Sequence, residues 1–149
     1  MRIRYLMAGI VVLVVANVLI YKAIFTPTVL EVRVLDVGKG SEILVRIPSN
    51  KTLLIDTGSD ASILRSLGSI LPMWQRNIDA LIITSEAHNS VGGLPEVTSR
   101  YRVGNLIRHG VRGDRLVLGG GGYVDILWPP ETNTEISATN GALVLRISY

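Results

Sequence analysis

The chain has 149 residues, 48% of them hydrophobic, with a formal net charge of +3 and no cysteine. That length leaves room for one domain once a membrane segment is subtracted; the apolar content excludes wholesale disorder, and the missing thiols exclude a disulfide framework and any thiolate-held metal. The charge is local, because three of the fifteen basic residues fall in the first 25, which carry no acid, and the other twelve match the twelve acids, so no broad electrostatic footprint for nucleic acid remains.

The N-terminus reads MRIRYLMAGIVVLVVANVLIYKAIF. From Tyr5 to Tyr21 nothing is charged, and Asn17 is the one strongly polar side chain. As a helix this stretch reaches roughly 26 Å at ~1.5 Å per residue, and further if Lys22 snorkels. Arg2 and Arg4 precede it and Lys22 closes it, an asymmetry that predicts a cytoplasmic N-terminus. The expectation is a single-pass anchor over residues 1–25 in the cell membrane, with the domain outside the cytoplasm. A cleaved signal peptide ending at Val14-Val15-Ala16 is the competing reading.

Residues 26–29 read as a linker and 30–149 as the domain. Period-two alternation predicts a strand over 29–37, with Val32, Val34 and Asp36 on one face and Glu31, Arg33 and Leu35 on the other. Gly38-Lys39-Gly40 reads as a turn, Ile43 to Ile47 as a second strand, Pro48 to Lys51 as a turn and Thr52 to Asp56 as a third strand, together an antiparallel meander. Ser59 or Asp60 offers an N-cap to a helix over Ala61–Leu71, with Ile63, Leu64, Leu67 and Leu71 on one face and Pro72 ending it. Ile78 to Thr84 lacks alternation, as a strand buried on both faces does. Pro95 fits the first turn of a short helix to about Tyr101. Val103–Ile107, Tyr123–Trp128 and Ala142–Tyr149 are further strand candidates. Gly119 to Gly122 reads as a flexible loop, since no Lys and Ser/Thr follow where a phosphate cradle needs them.

Five blocks carry a resemblance: L-D-V-G-x-G from Leu35, L-V-R-I-P-S-x-K-T-x-L-I-D-T-G from Leu44, L-P at Leu71, I-D-A-L-I-I-T from Ile78, and V-G-G-L-P from Val91. Together they resemble the metallo-β-lactamase fold, most closely the C-terminal domain of ComEC-type competence proteins, which act in DNA uptake. Leu127-Trp128-Pro129-Pro130 and Asn140-Gly141 through Tyr149 are similar to that group's later strands. The resemblance implies an αββα sandwich with zinc held by a loop of pattern T-H-x-H-x-D-H-x-G-G. Thr84 and Gly92-Gly93 align without a gap, which sets Ser85 and Ala87 at the two histidines, Asn89 at the aspartate and Ser90 at the last histidine. His88 falls on a variable position. Ser41 replaces the aspartate of the family's G-x-G-D turn, and the chain stops at Tyr149, before the family's second ligand set. The implied architecture is therefore α/β, roughly the N-terminal half of the sandwich behind one transmembrane helix.

Hydroxyls, a methyl and an amide are not zinc ligands, and without the ion the family's hydrolysis has no activated water. The expectation is no zinc, no catalytic residue and a non-catalytic pseudoenzyme or relic. Asp56 is expected to be a structural carboxylate at a strand end, and Asp36 likewise. Glu86, His88 and Asn89 could form an improvised site; Ser85 and Ser90 have no base placed against them. Arg100, Arg102, Arg108, Arg112 and Arg115 form a locally basic stretch that offers an anion or DNA-backbone contact, the alternative being a solvated face. His109 reads as a strand-end surface residue, and Trp74 and Trp128 as packing. A protein partner or second copy could cover the exposed sheet, and a hydrolase subunit completed by another chain is the last alternative.

Overall fold

The computed structural model describes residues 2–25, 29–38, 40, 42–108, 112–119, 121–128 and 143–149. The expected linker at 26–28, Ser41, His109, Pro129-Pro130 and residues 140–142 lie outside them. Helix α1 runs Arg2–Phe25. Within it Ile3–Ile24 is long and apolar enough to cross a membrane, and none of that stretch is buried against the rest of the chain.

Strands β1 (Glu31–Leu35), β2 (Glu42–Ile47) and β3 (Lys51–Ile55) form the expected antiparallel meander. Strands β4 (Asn77–Ile82) and β5 (Arg102–Ile107) then add in parallel, giving the order β1-β2-β3-β4-β5. Parallel neighbours need a crossover, and α2 (Ser62–Ile70) supplies the first while α3 (His88–Val91) and α4 (Leu94–Arg100) supply the second. The N-cap of α2 is Ala61, with no side-chain bond, rather than Ser59 or Asp60. The Asp60 carboxylate instead accepts the Ser62 N–H at 2.8 Å, because an Asx turn competes with a cap for the same amide.

Strand β4 is buried on both faces from Ala80 on, as its lack of alternation predicts. One face of the five-stranded sheet packs Leu44, Leu54 and Leu81 against Ile63 and Leu67 of α2 and Val97 of α4. Each fully buried leucine is worth about 1.5–3 kcal/mol. The other face packs Val45, Leu53 and Ile82 against Leu118 and Val124 of a second sheet. That sheet has three antiparallel strands in the order β6-β7-β8: β6 (Arg115–Gly119), β7 (Gly122–Trp128) and β8 (Val144–Ser148).

Strand β6 corrects the sequence reading in two places. The stretch around Arg115 is a strand, and Gly119–Gly122 closes a hairpin in which those two residues pair. Gly119 and Gly121 have φ of +84° and +91°, and a Cβ on Gly122 would stand 2.6 Å from Ile47 Cδ1. Gly119 and Gly121 serve turn geometry, and Gly122 the approach of the two sheets.

Among the described residues no helix covers the outer face of the second sheet, so three of the four layers of an αββα sandwich are present. On that face Arg115, Asp125 and Arg146 stand opposite one another across the three strands. Asp125 accepts from Arg115 at 2.6 and 3.1 Å and from Arg146 at 2.6 Å. The Arg115 guanidinium also lies 4.2 Å above the Tyr123 ring. The two arginines hold the Asp125 carboxyl down at about 2. On β1, Val32 and Val34 share a face with Val45 and Ile43 yet are 55% and 73% exposed, because the narrower second sheet does not reach the edge strand.

Candidate functional site

The loops after β1, β3 and β4 meet at one end of the larger sheet, since β1 and β3 run the same way and β4 is parallel to β3. Asp56, directly after β3, has φ +60°, a conformation that Asp tolerates better than most residues. Its N–H donates to the Ile82 carbonyl at 2.9 Å. Its carboxylate accepts the Thr84 N–H at 2.8 Å and the Thr84 hydroxyl at 2.5 Å. Burial pushes the Asp56 carboxyl up, and the two Thr84 bonds oppose that. The side chain clamps the end of β3 to the end of β4. Asp36 is exposed; its carboxylate accepts the Gly38 N–H at 3.3 Å, and its carbonyl accepts the Ser66 hydroxyl of α2 at 2.7 Å.

In the loop after β4, the Ser85 hydroxyl accepts the Ala87 N–H at 3.1 Å and Ala87 is the N-cap of α3. His88 and Asn89 are exposed on the first turn of α3, while Ser90 is buried. The Ser90 carbonyl accepts both the N–H and the hydroxyl of Thr57 at 2.9 Å. The Gly93 N–H donates to the Gly58 carbonyl at 2.9 Å. A Cβ on Gly92 would lie 2.2 Å from the Ser59 carbonyl oxygen, and one on Gly93 2.3 Å from that of Thr57. The glycine pair is thus required for the β3–α2 loop to pack on α3 and α4.

This donor set does not fit a zinc ion. The Ser85 oxygen is engaged in a local turn, Ala87 offers a methyl, and Ser90 is tied into the loop packing. His88 lies near the Asp60 carboxylate, which two Ser62 bonds hold below the usual range with smaller help from Arg65 and His88. Among the described residues no three His, Asp or Glu side chains could share an ion, whereas a catalytic zinc needs about three ligands.

The unexpected group is Glu42, the first residue of β2. It is fully buried, and among the described residues neither carboxylate oxygen has a hydrogen-bond partner from another residue. Gly40 and Gly58 make its room: a Cβ on Gly40 would fall 2.1 Å from Glu42 Oε1, and one on Gly58 3.0 Å from it. Burial pushes the Glu42 carboxyl up, its own backbone amide pulls the other way, and the charges of Asp56 and Asp60 push it up further. The sequence did hold a signal, for Glu42 stands two residues before Leu44 on the face turned to the helices.

Four of the five arginines border two different clefts. Arg100, at the end of α4, and Arg102, opening β5, border a cleft with Arg76. Arg108 and Arg115 border a different one, beside Asp114. Arg112 is exposed in the turn before β6, and Arg115 is already bound to Asp125. Trp74, expected to pack in the core or at its rim, is 62% exposed and meets the Tyr21 ring of α1 at 5.6 Å between centroids. The ring of Trp128 lies outside the described side chains.

No family model matches the chain, and no curated protein matches it. Solved structures do. A Cronobacter sakazakii metallo-β-lactamase with a HARLDQ motif superposes with a TM-score of 0.57 at 17% identity, covering 78% of this chain and 54% of its own. The metallo-β-lactamase fold protein YhfI from Bacillus subtilis gives 0.54 at 14% identity, with 80% and 57% covered. The metallo-β-lactamase SMB-1, solved with mercaptoacetic acid, gives 0.55 at 14% identity, with 76% and 54% covered. The chain has part of the metallo-β-lactamase fold, spanning about half the length of each of these proteins.

Proposed function

We propose that this chain is a membrane-anchored, outward-facing domain of the metallo-β-lactamase type, related to the ComEC-type competence proteins, that binds rather than hydrolyses. The carrying observation is the loop from Ser85 to Ser90, which occupies the place of a metal-binding turn with a set of groups unable to hold zinc. The Cronobacter protein is named for H-A-R-L-D-Q; the six residues here are S-E-A-H-N-S, which keep neither the leading histidine nor the aspartate. The hydroxyl and carbonyl partners of that loop support a role in holding the β3–α2 turn. Residues Ile3–Ile24 support the anchor, and Arg2 and Arg4 at its start support a cytoplasmic N-terminus.

Calorimetric titration of the full chain in detergent with zinc, coupled to a phosphodiesterase assay, tests this reading. No saturable zinc heat and no metal-dependent turnover are expected. Stoichiometric tight binding with hydrolysis overturns it.

A further inference from the structure

Helix α1 leaves its apolar stretch beside the turn that follows α2. Tyr21, one residue before Lys22, stacks obliquely on Trp74, with ring centroids 5.6 Å apart. Met73 and Trp74 are 84% and 62% exposed, so an apolar tip stands next to the helix end with little of the domain covering it. Between them lies a cleft of roughly 340 Å³ whose lining includes Lys22, Arg46, Trp74 and Arg76 and no carboxylate. That volume is at the small end of ligand sites, about 300–1,000 Å³. Arg46 is partly neutralised by Glu31 at 3.5 Å. Arg76, Arg100 and Arg102 form no ion pair among the described residues, and all three border the adjoining cleft. A tryptophan and a tyrosine at the end of an apolar helix, flanked by free cations, match the headgroup zone of a bilayer, where amphipathic rings settle and basic side chains meet phosphate.

We propose that Met73 and Trp74 insert at the membrane surface and that Lys22, Arg76, Arg100 and Arg102 bind the phosphates of anionic phospholipids, seating the domain on the bilayer that α1 spans. The surface lies at the C-terminal end of α1, so the proposal holds whichever side of the membrane the domain occupies. It rests on the anchoring part of the proposed function. A lipid occupant is favoured over a nucleic acid because the apolar tip and the helix exit belong to the same patch.

The test uses the full chain in nanodiscs of phosphatidylcholine alone or mixed with phosphatidylglycerol, with Trp128→Phe leaving Trp74 as the single indole. Quenching of Trp74 by headgroup-labelled lipid is expected to be stronger with phosphatidylglycerol. Arg76→Gln should weaken that docking about fivefold, the loss expected for one basic group near an anionic surface. Because the chain has no cysteine, Met73→Cys carrying an environment-sensitive label gives a second readout that leaves Trp128 in place. Equal signals in the two lipid mixtures, or no effect of Arg76→Gln, overturn the proposal while co-flotation with the discs leaves the anchor standing. A chain that does not co-float with bilayers overturns the anchor instead, and the proposal with it.

Discussion

Replacing Glu42 by leucine is expected to stabilise the domain at neutral pH. The carboxylate is fully buried beside Gly40 and Gly58, and neither oxygen has a partner from another residue among those described. A buried polar group left unsatisfied costs about 1–3 kcal/mol, and an ionised one more. Leucine has a similar reach, adds no polar atom and continues the apolar face that Leu44 begins, so a gain of about 1–3 kcal/mol is expected, roughly 4 °C in Tm per kcal/mol for a domain of this size. The pH dependence supplies the sign. With the folded-state carboxyl raised above its ordinary 4.5, the native chain holds the proton more tightly than the unfolded one. Stability therefore falls as pH rises from 4.5 through the folded value, and is fully present only below 4.5. Thermal unfolding followed by circular dichroism in detergent, from about pH 4 to about pH 8, should show a steeper decline in the native chain than in Glu42→Gln or Glu42→Leu, which keep only the contribution of the raised Asp56 carboxyl. A destabilised Glu42→Leu, or a pH slope equally steep in all three, would refute the reasoning: the Glu42 carboxyl would then not be a buried group without a partner.

Other expectations concern the clamp, the glycine pair and the outer sheet. Asp56→Ala loses both Thr84 bonds and places alanine at φ +60°; it should cost about 2–4 kcal/mol in urea unfolding, and Asp56→Asn, which tolerates that φ and keeps one acceptor, clearly less. Gly93→Ala should cost about 1–3 kcal/mol or abolish folding, since its methyl would meet the Thr57 carbonyl at 2.3 Å; an unchanged Tm would show that the loops are loosely packed. The Asp125 carboxyl should titrate at about 2 by NMR. Its contribution is present above the ordinary 3.8 and lost as pH falls through about 2. Replacing both Arg115 and Arg146 by glutamine should return the midpoint towards 3.8, and a native midpoint already there would show the pairs to be open.

Much of the fold was legible because it rests on local periodicity. The lack of alternation in Ile78–Ile83, apolar but for Asp79, predicted a doubly buried strand, and the short apolar runs at 43–47 and 52–56, separated by turn residues, predicted the meander. The place of the Ser85–Ser90 loop followed from Thr84 and the two glycines, whose lack of side chains the close loop contacts then explain. Strand β6 was not legible: Arg115-Leu116-Val117-Leu118-Gly119 is short, begins with a charge and ends in a glycine run, and only the pairing of Arg115 with Asp125 across ten residues makes it a strand.

What the amino acids settled alone was which chemistry is available: no thiol, no cluster of imidazoles after β4, one apolar helix at the start. Those are properties of side-chain types and need no third dimension. What the tertiary structure decided was which charges keep company. It took Arg115 out of the basic stretch by facing it with Asp125, and it set Trp74 and Arg76 beside Tyr21. It also sealed Glu42 under two glycines. Such pairings join residues far apart in the chain, and no local pattern encodes distances that only the packing of sheets, loops and helices brings about.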